Sequence, residues 1–409
     1  MNASTPLSSS RRFLVTATVM ALSLGACGPV SMTMDASPDA ASSAETGAPE
    51  ASLDGSASDG AAPMDDAAVP ADAYPGMNWD VAPLPPGMPI SATMEQWTWV
   101  QFPEARCGTG TATGIAVNLT NRSNKVFVYM MGGGACWDQA TCYELRTAAN
   151  LEGYSEANFT RDRAQFDAAG MFNRDDMTNP FRDASYVFIP YCTGDVHGGN
   201  RIAVHDTNNP DQRTYHVGAN NVALYLQRLV PTFANADRVW LTGSSAGGVG
   251  ATLNWPRFQE AFPRARVDLL NDGGQLCDAN NGRAAQWRRA WSLPVPPGCP
   301  ECATSLQANM VWMHRTMGAT RRSGLMATLQ DSTLRGFYTV TPATFETATR
   351  ALLTAAYDPN MNTRYFVLPG SMHTYWGRWS MIMAADGTRV RDWITAWATD
   401  DPTWRNVGP

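Results

Sequence analysis

Lysine is almost missing: of 30 basic residues only Lys125 is one, and no Lys or Arg falls between Arg12 and Arg106. A basic surface for nucleic acid is therefore not expected. Histidine is scarce, with five in 409 residues, so a histidine-dependent site has few candidates. After the first 26 residues there is no apolar run of ~18 residues, the length that reads as a transmembrane helix. Against these absences stand a 44% hydrophobic content and 14 tryptophans, enough to exclude a mostly disordered chain.

The formal net charge of −7 is unevenly placed. Nine acids (Asp35, Asp39, Glu45, Glu50, Asp54, Asp59, Asp65, Asp66 and Asp72) lie in residues 28–75. Setting them aside with Arg11 and Arg12 leaves 28 basic and 28 acidic side chains, so the folded part is neutral. The lysine scarcity is read as genome composition. Arg11 and Arg12 precede a 14-residue apolar stretch, Phe13 to Ala26. That length fits a signal-peptide core and is too short for a bilayer span. Leu24-Gly25-Ala26-Cys27 has the form of a bacterial lipobox, with Cys27 as the lipidated residue; ordinary cleavage in an Ala-rich segment is the alternative. Ser10 to Leu14 is also a loose twin-arginine signal. The expectation is a signal peptide over 1–26 and an acidic disordered tether over 27–75, too poor in large hydrophobes to offset its ordering entropy. One globular domain then fills 76–409.

Within that domain, short apolar runs alternate with helical stretches. The runs are Lys125–Met131, Ser185–Pro190, Arg238–Thr242, Arg266–Leu270, Leu325–Gln330 and Tyr365–Leu368. Helices are expected over His216–Val230, Ala246–Phe262, Thr304–Met317, Thr344–Ala356 and Val390–Ala398. Continuous apolar strands alternating with helices predict an α/β fold: a mostly parallel sheet with helices on both faces. Ligands of such sheets sit at the carboxyl ends of the strands.

The residues after those runs carry the chemistry. Gly243-Ser244-Ser245-Ala246-Gly247 is G-x-S-x-G between a strand and a helix, which makes Ser245 the nucleophile candidate. After Lys125–Met131 come Gly132, Gly133 and Gly134, whose N–H groups suit an oxyanion hole; Gly133, Gly134 and Ala246 are the expected donors. His373, after the strand ending at Leu368, is the expected base. His205 and His216 read as surface or helix-start residues, and His314 as packing. The third member is an acid: Asp331 is best placed, Asp272 is its rival, and Asp358 a weaker third.

These residues resemble the Notum/pectin acetylesterase family of α/β-hydrolases. The likeness rests on Gly132 to Cys136 with Cys142, on Ile189-Pro190-Tyr191-Cys192-Thr193-Gly194-Asp195, on Gly243 to Gly248, and on Gln330-Asp331-Ser332 with His373. It implies a Ser-His-Asp carboxylesterase built from Ser245, His373 and Asp331, with no metal and no organic cofactor. Its cysteine pattern implies bridges Cys136–Cys142 and Cys107–Cys192. The chain departs from the family at Met131, where Glu is usual, and at Gly134-Ala135, where an aromatic is usual; both positions bear on acyl-chain preference.

Two of Cys277, Cys299 and Cys302 are left to pair; a lone Cys299-x-x-Cys302 supports neither zinc nor redox chemistry. Trp137, Trp376 and Trp379 are candidates for stacking on sugar rings, and His197 for touching substrate. The combined reading is a monomeric, lipid-anchored, exported serine esterase acting on an ester substrate, an acylated polysaccharide, at the cell envelope or surface. Its nucleic-acid partners are none, and its membrane contact is through the lipid alone. The alternatives are an esterase for long acyl chains or a polyester, and an inactive carbohydrate-binding lipoprotein.

Overall fold

The segment Lys125–Met130 buries five of its six side chains, on both faces alike, as an interior strand of a covered sheet must. The computed structural model describes residues 85–408 apart from position 207. The signal peptide, Cys27, the tether and the expected domain start at 76 lie outside the described residues. In chain order the strands are β1 (Trp97–Arg106), β2 (Ala112–Asn118), β3 (Lys125–Met130), β4 (Ser185–Ile189), β5 (Arg201–Val204), β6 (Arg213–His216), β7 (Arg238–Ser244), β8 (Arg266–Asp272), β9 (Ser323–Thr328) and β10 (Thr363–Leu368). The helices are α1 (Glu156–Ala169), α2 (Gly218–Thr232), α3 (Ala246–Ala261), α4 (Asn281–Trp291), α5 (Leu306–Met317), α6 (Ser332–Tyr338), α7 (Pro342–Leu352) and α8 (Val390–Ala398).

Eight strands form one sheet in the order β1-β2-β4-β3-β7-β8-β9-β10. The six strands from β4 to β10 in that order run parallel, while β1 and β2 join antiparallel at one edge. At the other edge Val407 lies along β10, exchanging hydrogen bonds with Tyr365 and Val367. β5 and β6 form a separate two-stranded ribbon.

Strand alternation sends the two faces into different cores. Val126, Val128 and Met130 of β3 join Val239 and Leu241 of β7 in a largely aliphatic cluster. Phe127, Tyr129 and Trp240 point the other way, into an aromatic cluster with Phe181, Trp376 and Trp397. Helix α8 shows how that second face is covered. Val390, Trp393, Ile394, Trp397 and Ala398 are its buried residues, at the i, i+3, i+4, i+7 spacing of one helical face. No helix among the described residues is long and apolar enough to cross a membrane.

Two histidines belong to this scaffold. His314 on α5 donates Nδ1–H to the Ala356 carbonyl and accepts from Ser323 Oγ, packed against Tyr357. His216, expected at a helix start and near the surface, is buried at the end of β6. Its Nδ1–H is donated to the Thr193 carbonyl, and its Nε2 faces His205 Nε2 at 3.0 Å. Burial pushes the His314 pKa down from 6.5 to about 4 and that of His216 to about 3. A depressed imidazole pKa contributes stability that is present above about 6.5 and lost as pH falls toward the folded value. His314→Gln is therefore expected to lower the melting temperature at pH 7 yet flatten its fall between pH 6.5 and 4. A pH series of thermal melts checks this, and an unchanged slope would refute it.

Candidate active site

The parallel strands bring the carboxyl ends of β3, β7, β8, β9 and β10 to one edge, and every candidate catalytic residue except Asp358 lies there. β7 ends at Ser244 and α3 begins at Ala246. Ser245 between them has φ 57° and ψ −123°. This is a conformation that a side chain rarely adopts, at a cost of order 1–3 kcal/mol. Two bonds hold it: the Ser245 N–H to the Asp272 carbonyl at 2.7 Å, and the Val249 N–H to the Ser245 carbonyl at 3.1 Å. The helix start also presses against β3. A Cβ at Gly247 would lie 2.0 Å from the Met130 carbonyl oxygen, so no larger residue fits. Ser245 remains half-exposed among buried neighbours.

The glycine loop runs directly past it. A Cβ added at Gly132 would sit 3.1 Å from Ser245 Cβ, and Gly134 has φ +74° with the Thr147 carbonyl filling its Cβ position. The loop is pinned on both sides. Met131 N–H donates to Ile189, Ala149 N–H to the Gly133 carbonyl, and Cys136 N–H to Gly194. Cys136 is bridged to Cys142, and its carbonyl accepts from Trp291 Nε1 at 2.7 Å. Among the described residues, the N–H groups of Gly133 and Gly134 take no protein acceptor. Ala246 N–H, in the first turn of α3, has no intrahelical one. Three N–H groups of the glycine loop and the helix start are thus without a protein acceptor.

Asp331 lies just past β9, fully buried, as the N-cap of α6. One carboxylate oxygen accepts the Thr333 and Leu334 N–H groups, at 3.0 and 2.9 Å. The other accepts His373 Nδ1–H at 2.7 Å. Helix-capping bonds fix the carboxylate, and the carboxylate fixes the imidazole. His373 Nε2 is left buried without a protein partner.

Asp272, the rival acid, makes no hydrogen bond to His373 among those of the described residues. Its carboxylate accepts from Ser244 Oγ at 2.8 Å and from the N–H groups of Tyr375 and Trp376 at 2.7 and 3.1 Å. Burial pushes its pKa up to about 6, against the pull of these bonds. Asp358 lies at the end of the turn after α7, where Asn406 donates to it.

Several expected contacts are corrected by burial. Trp376 is 1% exposed, with Nε1–H on Thr242 Oγ1 and its ring in the aromatic core, so it has no free face for a sugar. Trp379 is likewise buried, donating to the Ala169 carbonyl. His197 is 3% exposed, and its Nε2–H is spent on the Met131 carbonyl at 2.8 Å, so it does not meet substrate. Trp137 differs: it is half-buried, beside Phe337 and Trp287, with the Arg283 guanidinium 4.7 Å above its ring.

Among the described residues the cysteines pair as Cys107–Cys192, Cys136–Cys142 and Cys299–Cys302, leaving Cys277 free and buried. One cluster among the described residues has metal-ligand spacing, Cys136, Cys142 and His216. Both its sulfurs are in a disulfide, which removes the thiolates a metal would need.

The family model described as Pectinacetylesterase matches residues 91–292, which include the glycine loop and Ser245 but not Asp331 or His373. The palmitoleoyl-protein carboxylesterase NOTUM of Schmidtea mediterranea is 29% identical over 172 residues, 40% of this chain and 31% of that protein. Pectin acetylesterase 11 of Arabidopsis thaliana is 29% identical over 154 residues, 37% of each chain. The chain is thus similar to the Notum and pectin acetylesterase family, along a stretch just short of half its length. Its matched stretch spans about a third of the length of those curated relatives. The fold agrees: the crystal structure of the Wnt deacylase Notum from Drosophila superimposes with a TM-score of 0.56 at 19% identity, covering 77% of this chain and 96% of that one. The α/β-hydrolase-like sheet is the one expected from the strand and helix order.

Sequence reasoning missed the part played by Asp272 as a clamp. Its signal was present in Asn271-Asp272-Gly273-Gly274, polar residues and glycines at a strand end, but nothing local says which atoms such a carboxylate accepts.

Proposed function

We propose that this chain is an exported serine carboxylesterase that removes small acyl groups, acetyl first among them, from polysaccharide. The observation that carries the reading is His373, held through Nδ1 by buried Asp331 with Nε2 unpaired. In this mechanism Ser245 Oγ attacks the ester carbonyl while His373 Nε2 takes its proton. The oxyanion collects the N–H groups of Gly133, Gly134 and Ala246. His373 then returns the proton to the leaving alcohol, and water repeats the sequence on the acyl-enzyme. Asp331 keeps the imidazole in the tautomer that leaves Nε2 as acceptor and stabilises the imidazolium. General base and oxyanion donors are each worth about 10²–10⁴ and 10²–10³ in rate.

Small acyl groups are favoured by bulk beside the glycine loop. A Cβ at Gly134 would come 3.2 Å from the Phe337 ring, and Trp137 packs beside Phe337. The exposed part of Trp137 offers a stacking face for a sugar ring. Long acyl chains are the second reading, because relatives bear the name palmitoleoyl-protein carboxylesterase. Lipid anchoring at Cys27 belongs to the same proposal, on the strength of Arg11-Arg12, the apolar run and the lipobox form.

Substitutions and a substrate series test this reading. Ser245→Ala should abolish both ester hydrolysis and labelling by a fluorophosphonate, and Asp331→Asn should lower kcat by about 10⁴, the scale of a lost triad acid. Asp272→Asn should cost far less; a larger loss there would transfer the orienting role to Asp272. Rates on p-nitrophenyl acetate, butyrate and octanoate should fall with chain length, whereas a preference for octanoate would favour the long-chain reading. Absence of turnover and of labelling in the intact chain would point instead to a binding lipoprotein. Finally, Cys27→Ala should move the exported protein from the membrane fraction to the soluble one; an unaltered distribution would refute the anchor.

A further inference from the structure

His197 is a buried side chain that the proposed mechanism leaves without a task. We propose that it is a positioning residue for the oxyanion loop, acting through the carbonyl of Met131; the inference rests on the esterase reading above. Three consecutive glycines hold little orientation of their own, since each is free in both halves of backbone space. Whether the N–H groups of Gly133 and Gly134 point at a developing oxyanion therefore depends on what grips the loop at its ends. Downstream it is gripped by Ala149, the Gly194 carbonyl and the Cys136–Cys142 bridge. Upstream the side-chain grip is His197 Nε2–H on the Met131 carbonyl, at 2.8 Å. The Met131 carbonyl and the Gly132 N–H belong to one planar peptide unit, so fixing the first fixes the second. Gly133 follows one residue later.

The surroundings of His197 are built to hold that ring. Its backbone has φ +59°, unusual for a non-glycine residue. The strained turn is tied by the buried carboxylate of Asp195, which accepts from Thr193 Oγ1 and from the N–H groups of His197, Gly199 and Gly218, at 2.5, 3.1, 3.1 and 2.7 Å. On one side the ring packs on Tyr191, centroids 4.7 Å apart. On the other it lies against α3 at Gly250, where an added Cβ would be 2.7 Å from the imidazole. Burial also pushes the His197 pKa down to about 4, which keeps the ring neutral, its Nε2–H the donor to Met131. The ring is thus wedged between the nucleophile helix and the oxyanion loop, with one polar bond directed at the loop.

The distinguishing variants are His197→Gln, whose amide N–H reaches about as far as Nε2–H, and His197→Asn, which tolerates the left-handed backbone but stops short of Met131. Kinetics on p-nitrophenyl acetate should show kcat reduced about 10- to 100-fold in His197→Asn, the scale of a displaced oxyanion donor, with KM within about twofold. His197→Gln should recover most of that loss. Deuterium exchange of the peptide carrying residues 131–136 gives a readout independent of turnover: faster in His197→Asn than in the parent, and restored in His197→Gln. Equal kcat and equal exchange in parent and His197→Asn would overturn the proposal, as would a His197→Gln variant as impaired as His197→Asn. If the parent hydrolyses no ester, the esterase reading fails, and the exchange comparison alone decides whether His197 fixes the loop.

Discussion

The arrangement at the strand ends depends on one buried carboxylate that no substrate has to touch. Asp272 closes β8 and ties together two pieces of chain far apart in sequence, the end of β7 and the segment after His373. Its side chain accepts from Ser244, next to Ser245, and from the backbone of Tyr375 and Trp376, two and three residues past His373. Its carbonyl takes the N–H of Ser245 itself. An acid with these donors around it does not need imidazole as a partner, which is why Asp331 is the one on His373. Two acids at neighbouring strand ends divide the work: one sets the distance between chain segments, the other sets the rotation of a ring.

The same economy recurs on the oxyanion side. Glycines supply free N–H groups and close approach, but their freedom has to be removed by the residues around them. A disulfide, a tryptophan N–H and a buried histidine remove it from three directions. The strained φ of Ser245 is held in turn by backbone bonds on either side, so the serine is presented by constraint and not by its own preference.

Much of this was legible in the sequence, and what was not has physical reasons. The parallel strands announce themselves because their runs are apolar, the interior ones on both faces; β3, β4, β7, β8 and the edge strand β10 lie within two residues of where they are expected to begin and end, and β9 sits two residues earlier than expected. β1 and β2 were missed. At the sheet edge β1 has exposed positions and carries Pro103, so its pattern is broken. Helix α1 was missed because its sequence, Glu156–Ala169, is mostly polar and charged. Spacing brings Ser245, Asp331, His373 and the glycines forward as candidates because a reactive group is sought after a strand end, and the parallel strands gather these residues at one end of the sheet. His197 and Trp376 could not be assigned correctly in the same way. Position along the chain says which residues are near a site, whereas burial and the direction of a ring nitrogen decide whether they face it or brace it.

The strand at each border of the large sheet bears on solubility. An open border offers a row of unpaired N–H and C=O groups to any second chain that arrives as a strand. Here one border, β1, contains Pro103 and an irregular register between Phe102 and Arg106, which interrupts the row. The other, β10, is occupied along part of its length by the chain's own residues near Val407. The segment at Val407 thus acts as a built-in stopper against edge-to-edge aggregation along that stretch of β10.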